Sequence, residues 1–414
     1  MKCGLLGRKL GHSYSPLIHG HLGSYTYELF EKEPEELADF LRNGDFAGLN
    51  VTMPYKKAVI PYLDLLSPEA QTLGAVNTIV RYGNMLVGHN TDYFGFQSLM
   101  NRSGLNPAGK KCLVLGSGGA SNVAVAVLRE MGANAVVISR SGENNYENLS
   151  SHADAAILVN TTPVGMYPHN GATPVELDLF PSLEGVVDVV YNPARTQLML
   201  DAQVRDIKTI GGLWMLVAQA KAASEWFTGK TIADGVIDAV HAILHSEMEN
   251  IILIGMPGCG KSTIGRLLAE KTGRQFVDAD EQICTLAKKD IPHIFAEDGE
   301  DAFRTLETQV LQLLGKESGL VIATGGGCVT QPRNYPLLHQ NGRIYWLQRN
   351  LDRLPTEGRP LSQAQNLGQM YQDRAPLYEF FADEIIENHG TPDETVAMIA
   401  ERHSCIRTEM RNIP

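Results

Sequence analysis

No stretch of this 414-residue chain approaches the ~18 consecutive apolar residues that a membrane span requires, which argues against a membrane partner. The opening Met1-Lys2-Cys3-Gly4-Leu5-Leu6-Gly7 lacks the apolar core of a signal peptide and reads as a first β-strand. Cysteine is scarce. The six residues, at 3, 112, 259, 284, 328 and 405, form no C-x-x-C pair and no metal-ligand spacing, so reduced thiols in a cytoplasmic protein are expected. Positive charge is in deficit, with 35 Lys and Arg against 47 Asp and Glu and a formal net charge of -12. Nucleic acid demands a basic surface, so this balance argues against it as a partner, whereas a small anion needs only a few placed cations. There is no Gly/Ser-rich linker, internal repeat or low-complexity tract, so the parts of the chain are expected to be close-coupled. Nothing in the sequence speaks to oligomeric state.

What is present is two different phosphate-binding loops. Leu115-Gly116-Ser117-Gly118-Gly119-Ala120 opens a dinucleotide-type segment, and Gly255-Met256-Pro257-Gly258-Cys259-Gly260-Lys261-Ser262 fits the P-loop pattern G-x-x-x-x-G-K-[ST] at every fixed position. The length suits two or three domains. Cys112 to Leu115 and Ala135 to Ser139 read as buried strands around a helix from Asn122 to Met131, a β-α-β unit. Asp45 to Val51 includes a strand, Lys56 to Leu66 is expected to be helical, and Asn77 to Val80 and Met85 to Val87 form a hairpin. Ala155 to Asn160 and Gly185 to Val190 are further strands; Leu213 to Phe227 and Ile232 to Leu244 are amphipathic helices. Ser246 to Asn250 is expected to be a polar link to the strand Ile251 to Ile254, and the residues from His403 to Pro414 a frayed tail.

The glycines at 116, 118 and 119 let backbone amides approach a pyrophosphate, although a plain tight turn would use them too. After the second strand of the unit, Ser139-Arg140-Ser141 offers a cation where an NAD enzyme wants an acid for the ribose hydroxyl. A cation favours the 2′-phosphate of NADP. On its own, Lys56 beside Lys57 could be a solvated surface charge, and Asp92 an ordinary cap.

Six motifs then follow in order: Gly11-His12-Ser13-Tyr14-Ser15-Pro16, Asn50-Val51-Thr52-Met53-Pro54-Tyr55-Lys56, Gly74-Ala75-Val76-Asn77-Thr78, Asn90-Thr91-Asp92-Tyr93-Phe94-Gly95, Asn160-Thr161-Thr162-Pro163-Val164-Gly165-Met166 and Gly211-Gly212-Leu213-Trp214-Met215-Leu216-Val217-Ala218-Gln219. Together they resemble shikimate dehydrogenase across residues 1 to about 245. The resemblance implies that Lys56 and Asp92 are the catalytic pair. It implies that Ser13 and Ser15 hold the substrate carboxylate, with Thr52, Asn77, Tyr191 and Gln219 completing the pocket. Gly116, Ser117, Gly118, Gly119, Ala120, Ser139, Arg140, Thr161 and Met166 are implied for NADP. In one departure from the family, the stretch between Arg140 and Asn160 is short and polar.

For the second loop, average composition would produce the full P-loop pattern by accident in roughly one chain of this length in fifty to a hundred. A strand before it and a helix from Thr263 to Lys271 supply its context. Loop amides at Gly258, Cys259, Gly260 and Thr263 cradle phosphates, Lys261 neutralises charge, and Ser262 holds Mg²⁺. Cys259 contributes backbone and packing. Phe276-Val277-Asp278-Ala279-Asp280, Phe303-Arg304-Thr305-Leu306-Glu307, Thr324-Gly325-Gly326-Gly327, Gly358-Arg359-Pro360-Leu361 and Arg374-Ala375-Pro376-Leu377-Tyr378 follow in order, and the series resembles shikimate kinase over residues 250 to 402. That resemblance implies Asp278 at the metal, Asp280 at the substrate hydroxyl, Arg304 and Arg374 on the carboxylate, Gly326 and Gly327 against the ring, and Arg359 on a lid over ATP. A role for Arg353 beside the adenine is a guess.

The expected fold is α/β throughout. Residues 1–102, completed by helices in 213–245, form a substrate-binding domain, 103–212 a Rossmann-like NADP domain, and 249–402 a P-loop domain of the nucleoside-monophosphate-kinase type. The expected function is a bifunctional enzyme that reduces 3-dehydroshikimate with NADPH and phosphorylates the resulting shikimate with ATP and Mg²⁺. Two other readings stay open: a shikimate-sensing protein with degenerate enzyme domains, and a quinate-type dehydrogenase joined to another kinase.

Overall fold

The computed structural model describes residues 1–11, 13–354 and 367–409. Among the described residues, sixteen strands form three sheets. In chain order they are β1 (Lys2–Gly7), β2 (Thr26–Glu31), β3 (Gly48–Val51), β4 (Leu65–Leu66), β5 (Thr78–Tyr82), β6 (Met85–His89), β7 (Lys111–Leu115), β8 (Asn134–Ile138), β9 (Ile157–Asn160), β10 (Gly185–Asp188), β11 (Lys208–Gly211), β12 (Asn250–Ile254), β13 (Gln275–Asp278), β14 (Leu320–Ala323), β15 (Gly342–Gln348) and β16 (Glu384–Glu387). The chain divides into two compact units. One comprises Met1–Val164, Thr173–Tyr191 and Asp201–Leu244; the other comprises Gly165–Ala172, Asn192–Leu200 and His245–Pro414.

The first unit holds two sheets. The mixed sheet has the order β2-β1-β3-β5-β6-β4, with β3, β5 and β6 antiparallel to one another in turn. The second sheet is entirely parallel, in the order β11-β10-β9-β7-β8. Its strands are short apolar runs because helices cover both faces of such a sheet. Between β7 and β9 the strand order reverses, and a crevice beyond the carboxyl ends of two such strands is where doubly wound sheets bind nucleotides. Between β8 and β9 a single 3₁₀ turn, Leu149–His152, stands where a full crossover helix would be, in keeping with the short polar stretch in the sequence.

The second unit is built on a parallel sheet of order β13-β14-β12-β15-β16. At its centre Ile251, Ile252, Leu253 and Ile254 have no exposed surface. Each such side chain contributes about 1.5–3 kcal/mol of burial free energy.

Three expectations need correction. The run 56–66 is one helical turn, Tyr55–Ala58, then a 3₁₀ turn Ile60–Tyr62 and the edge strand β4. Pro61 lacks the amide that a continuing helix would need. The short polar link expected at 246–250 is almost absent, because helix and strand nearly meet. A helix runs Gly235–Met248, β12 begins at Asn250, and Ser246, Glu249 and Asn250 are buried. The buried Asn250 side chain is matched: its Nδ2 donates to Glu317 O at 2.7 Å and its Oδ1 accepts from Leu320 N at 2.8 Å, while Arg274 donates to the backbone carbonyls of Ser246 and Glu249. Burial pushes the Glu249 carboxyl up to about 7 against the pull of Arg195 and Arg343. Finally, the tail expected from His403 is helical as far as Glu409. Buried His403 anchors it, with Arg274 Nη2 at 3.1 Å and Tyr345 Oη at 3.2 Å.

Candidate active sites

Strand register explains how the first site assembles. β1 and β3 are parallel with Leu6 opposite Val51, so the segments leaving them, 8–11 and 52–54, emerge at one edge of the sheet. β5 and β6 are antiparallel with Thr78 opposite His89, which brings Asn77 and Asn90–Asp92 to the same edge. Lys56 Nζ there donates to Asp92 Oδ2 at 2.6 Å. Asp92 is the first residue of the helix Asp92–Ser103, a favourable place for a negative charge. Asn77 Oδ1 accepts from the Thr91 amide at 2.7 Å and from the hydroxyls of Thr78 and Thr91. Its carbonyl is therefore occupied, and what it offers a ligand is its amide NH₂.

Ser13 Oγ accepts from the Ser15 amide at 3.2 Å, and the neighbouring Tyr14 ring meets Tyr191 edge-on with centroids 6.2 Å apart. Burial raises the Tyr191 phenol above its usual range, leaving it a hydrogen-bond donor. Thr52 is pinned by its amide to Leu6 O at 2.9 Å. Gln219 lies on the helix Leu213–Thr228, whose contact with the Asp92 helix is close enough that a Cβ at Gly95 would sit 2.9 Å from both Gln219 Cβ and Met215 O. Sequence reasoning missed the layer beneath. Tyr27 Oη donates to Asn50 Oδ1 at 2.7 Å and Asn50 Nδ2 to Thr78 Oγ1 at 3.2 Å, a buried chain that ends on Asn77. Asn50 sits inside a motif, but nothing local points to Tyr27.

At the parallel sheet's switch point, Gly116 follows β7 with φ +107°, and the helix Gly119–Glu130 starts three residues later. A Cβ added at Gly118 or Gly119 would meet only open space, so the protein itself does not demand glycine there. The backbone at both positions is open to the approach of a ligand. Thr161, after β9, is tied through its hydroxyl to Leu115 O at 2.7 Å, beside Gly116. Ser139 and Arg140 follow β8, and Arg140 is exposed and pairs with no described residue. These groups fit a dinucleotide with an extra phosphate. Met166 is exposed and belongs to the short segment Gly165–Ala172 that clusters with the other unit.

In the second unit the loop after β12 turns through Gly258 (φ +83°) and Gly260 (φ +103°) into the helix Lys261–Thr272, whose first turn carries Ser262 and Thr263. Lys261 Nζ lies over the loop, donating to Gly255 O at 2.9 Å and Met256 O at 3.1 Å. Ser262 Oγ donates to Asp278 Oδ2 at 2.6 Å, and Asp278 Oδ1 caps the next helix at the Asp280 amide. Two hard oxygens side by side fit Mg²⁺, which takes one or two protein oxygens together with substrate phosphates. Burial, then the neighbouring Asp278, push the Asp280 carboxyl up, and its Oδ1 is buried without a hydrogen-bond partner.

Arg304 donates to Glu307 Oε2 at 2.9 Å and to Glu300 Oε1 at 3.0 Å. Glu307 is fully buried, and its other oxygen has no partner. Sequence reasoning assigned it no role, although i,i+3 spacing from Arg304 on one helix was a visible signal. The glycine run after β14 threads between these groups: a Cβ at Gly327 would lie 2.3 Å from the Arg304 guanidinium, and one at Gly325 2.7–2.8 Å from Glu307 and Asp280 oxygens. Gly326 O accepts from Arg374 Nη1 at 3.2 Å and from Tyr378 Oη at 2.5 Å. Arg359, its lid segment and the Arg353 side chain lie outside the described residues.

A lysine–carboxylate pair beside a dinucleotide-type sheet, and a P-loop facing buried acids and arginines, define a nucleotide-dependent oxidoreductase joined to a small-molecule kinase. Family models match at both ends: "Shikimate dehydrogenase substrate binding domain" over residues 5–79 and "Shikimate kinase" over residues 257–403. The NADP(+) shikimate dehydrogenase of Clostridium beijerinckii is 35% identical over 267 residues, 59% of this chain and 98% of that protein. That of Thermococcus kodakarensis is 35% identical, covering 56% and 93%. Among solved structures, shikimate dehydrogenase 1 of Peptoclostridium difficile is 36% identical with TM-score 0.54, covering 59% of this chain and 97% of its own. The Thermus thermophilus enzyme, solved with NADP(H) and shikimate, is 31% identical with TM-score 0.53, covering 58% and 98%. The chain belongs to the shikimate dehydrogenase family through its first half and carries a shikimate kinase domain in its second. No helix of the described residues is long and apolar enough to cross a membrane.

Proposed function

We propose that the chain performs two consecutive reactions, NADPH-dependent reduction of 3-dehydroshikimate to shikimate and ATP-dependent phosphorylation of the shikimate 3-hydroxyl. The observation that carries this reading is that one polypeptide holds both family matches, so the product of one half is the substrate of the other. Bound NADPH supplies the hydride, and bound ATP with magnesium supplies the phosphoryl group. Lys56 Nζ donates a proton to the carbonyl oxygen as it gains negative charge; Asp92 holds that ammonium and accepts from a ring hydroxyl. Ser13 and Ser15 bind the carboxylate, and Thr52, Asn77, Tyr191 and Gln219 orient the ring. Gly116 to Ala120, Ser139, Arg140, Thr161 and Met166 bind NADP.

In the kinase, Asp280 takes the proton of the attacking hydroxyl while Arg304 and Arg374 hold the carboxylate against Gly326 and Gly327. Glu307 aims the Arg304 fork. Lys261 and Arg359 neutralise phosphate charge, and Ser262 and Asp278 hold the metal ion. We place the reactions in the cytoplasm: Cys3, Cys112, Cys259, Cys284 and Cys328 are free thiols, as a reducing compartment maintains. Assaying the two halves of the reaction separately tests the proposal. NADPH loss with 3-dehydroshikimate and ADP release with shikimate are both expected, and failure of either removes that half.

Two results are expected in detail. The exposed Arg140, which pairs with no described residue, makes the reductase prefer NADPH to NADH, and Arg140→Ala should raise the KM for NADPH by about 10-fold with little change for NADH. Steady-state kinetics with both cofactors checks this, and equal KM values in the wild type would refute it. The raised Asp280 carboxyl gives the second. A protonated acid cannot accept the hydroxyl proton, so kinase kcat/KM should fall as pH drops through a range above the ordinary ~4 of a carboxylate. The pH profile of shikimate phosphorylation reads this limb; in Asp280→Asn it should vanish along with most of the rate.

A further inference from the structure

One arginine near the P-loop has no partner among the described residues. Arg349 lies just past β15, the parallel neighbour of β12, with Ile254 opposite Trp346. The carboxyl ends of the two strands therefore open on the same side, and Arg349 Nη1 comes within 3.8 Å of the point where a Gly260 Cβ would be. Beyond it, β16 pairs with β15 with Glu387 opposite Gln348, so Asn388 stands beside Arg349 and closes the ladder through its amide to Gln348 O at 2.7 Å.

The two residues differ in what they have left to offer. Asn388 is already engaged on both side-chain atoms: its Nδ2 donates to Cys259 O at 2.6 Å and its Oδ1 accepts from Thr395 Oγ1 at 2.9 Å. It anchors the P-loop to the end of β16. Arg349 is half-buried and makes no hydrogen bond or ion pair with any described residue. In a chain of net charge -12, a half-buried guanidinium left without an acid is unusual, and here it borders amides arranged for an anion.

We propose that Arg349 is an additional binding residue of the kinase nucleotide site, gripping the α- and β-phosphates that the loop amides around Gly260 cradle. This rests on the P-loop kinase reading. The α- and β-phosphates are common to ATP and ADP, so the contact strengthens nucleotide binding without favouring the transition state. A planar fork suits phosphate oxygens bidentately, and Lys at the same place supplies charge but not the fork.

The test is calorimetric titration of the full chain with ADP and Mg²⁺, alongside kinase steady-state kinetics. Arg349→Ala should weaken ADP and raise the KM for ATP by about 10-fold, with the KM for shikimate unchanged; Arg349→Lys should recover part of the loss. ADP affinity of Arg349→Ala within about twofold of wild type overturns the proposal. So does an alanine variant that weakens ADP and shikimate alike with no rescue by lysine, since that marks a structural residue. Wild-type chain that binds no ADP at all would instead remove the kinase reading itself.

Discussion

Lys56→Ala is expected to slow ketone reduction by ~10²-fold or more while shikimate phosphorylation continues at the wild-type rate. The lysine is placed, not free: its one-turn helix is pinned when Val76 N donates to Lys56 O at 2.8 Å, and its ammonium rests on Asp92 at 2.6 Å. Removing it leaves the growing negative charge on the substrate oxygen without a donor and leaves Asp92 without its cation. The loss should fall on kcat more than on KM, because proton donation is worth most in the transition state. NADPH oxidation by the purified variant measures this. Reduction at more than about a tenth of the wild-type rate would take the proton-donor role away from Lys56.

The second large effect is expected at Lys261. Lys261→Ala should lower the phosphorylation rate by about 10²- to 10³-fold, the scale seen when one preorganised donor to developing charge is lost. Lys261 is buried and donates to two carbonyls of its own loop, so it both shapes the loop and reserves a cation for the phosphates. The reductase should be untouched, because Lys56, Asp92 and the pocket residues around them belong to a separate compact unit. Measuring ADP release and NADPH oxidation on the same preparation checks both statements. A parallel loss of the reductase would show that the two activities depend on one another.

Much of this was legible in the sequence because the chemistry is local. The P-loop, the glycines after β7 and the Arg304–Glu307 spacing each lie within a few residues, and a helix start or one helix face carries them. The match of Lys56 to Asp92 is of another kind. The two are brought together by the pairing of β1, β3, β5 and β6, and only motif order hinted at it. What stayed hidden depends on strand order. Tyr27 supports Asn77 through Asn50 and Thr78, four residues contributed by three strands and a loop. Arg349 reaches Gly260 only because β15 lies next to β12 in the sheet. The stretch 246–250 reads as a link because its residues are polar, whereas a helix and a strand take up nearly all of it. Asn250 is polar because it hydrogen-bonds Glu317 and Leu320 from inside the core.

The central claim is that both reactions run in order on one chain, and isotope transfer tests it most directly. The purified protein would be incubated with 3-dehydroshikimate, Mg²⁺, ATP and NADPH carrying deuterium at its transferable position, and the products weighed by mass spectrometry. The account predicts shikimate 3-phosphate bearing a single deuterium. Deuterated shikimate without phosphate, or no deuterium in any product, would contradict it.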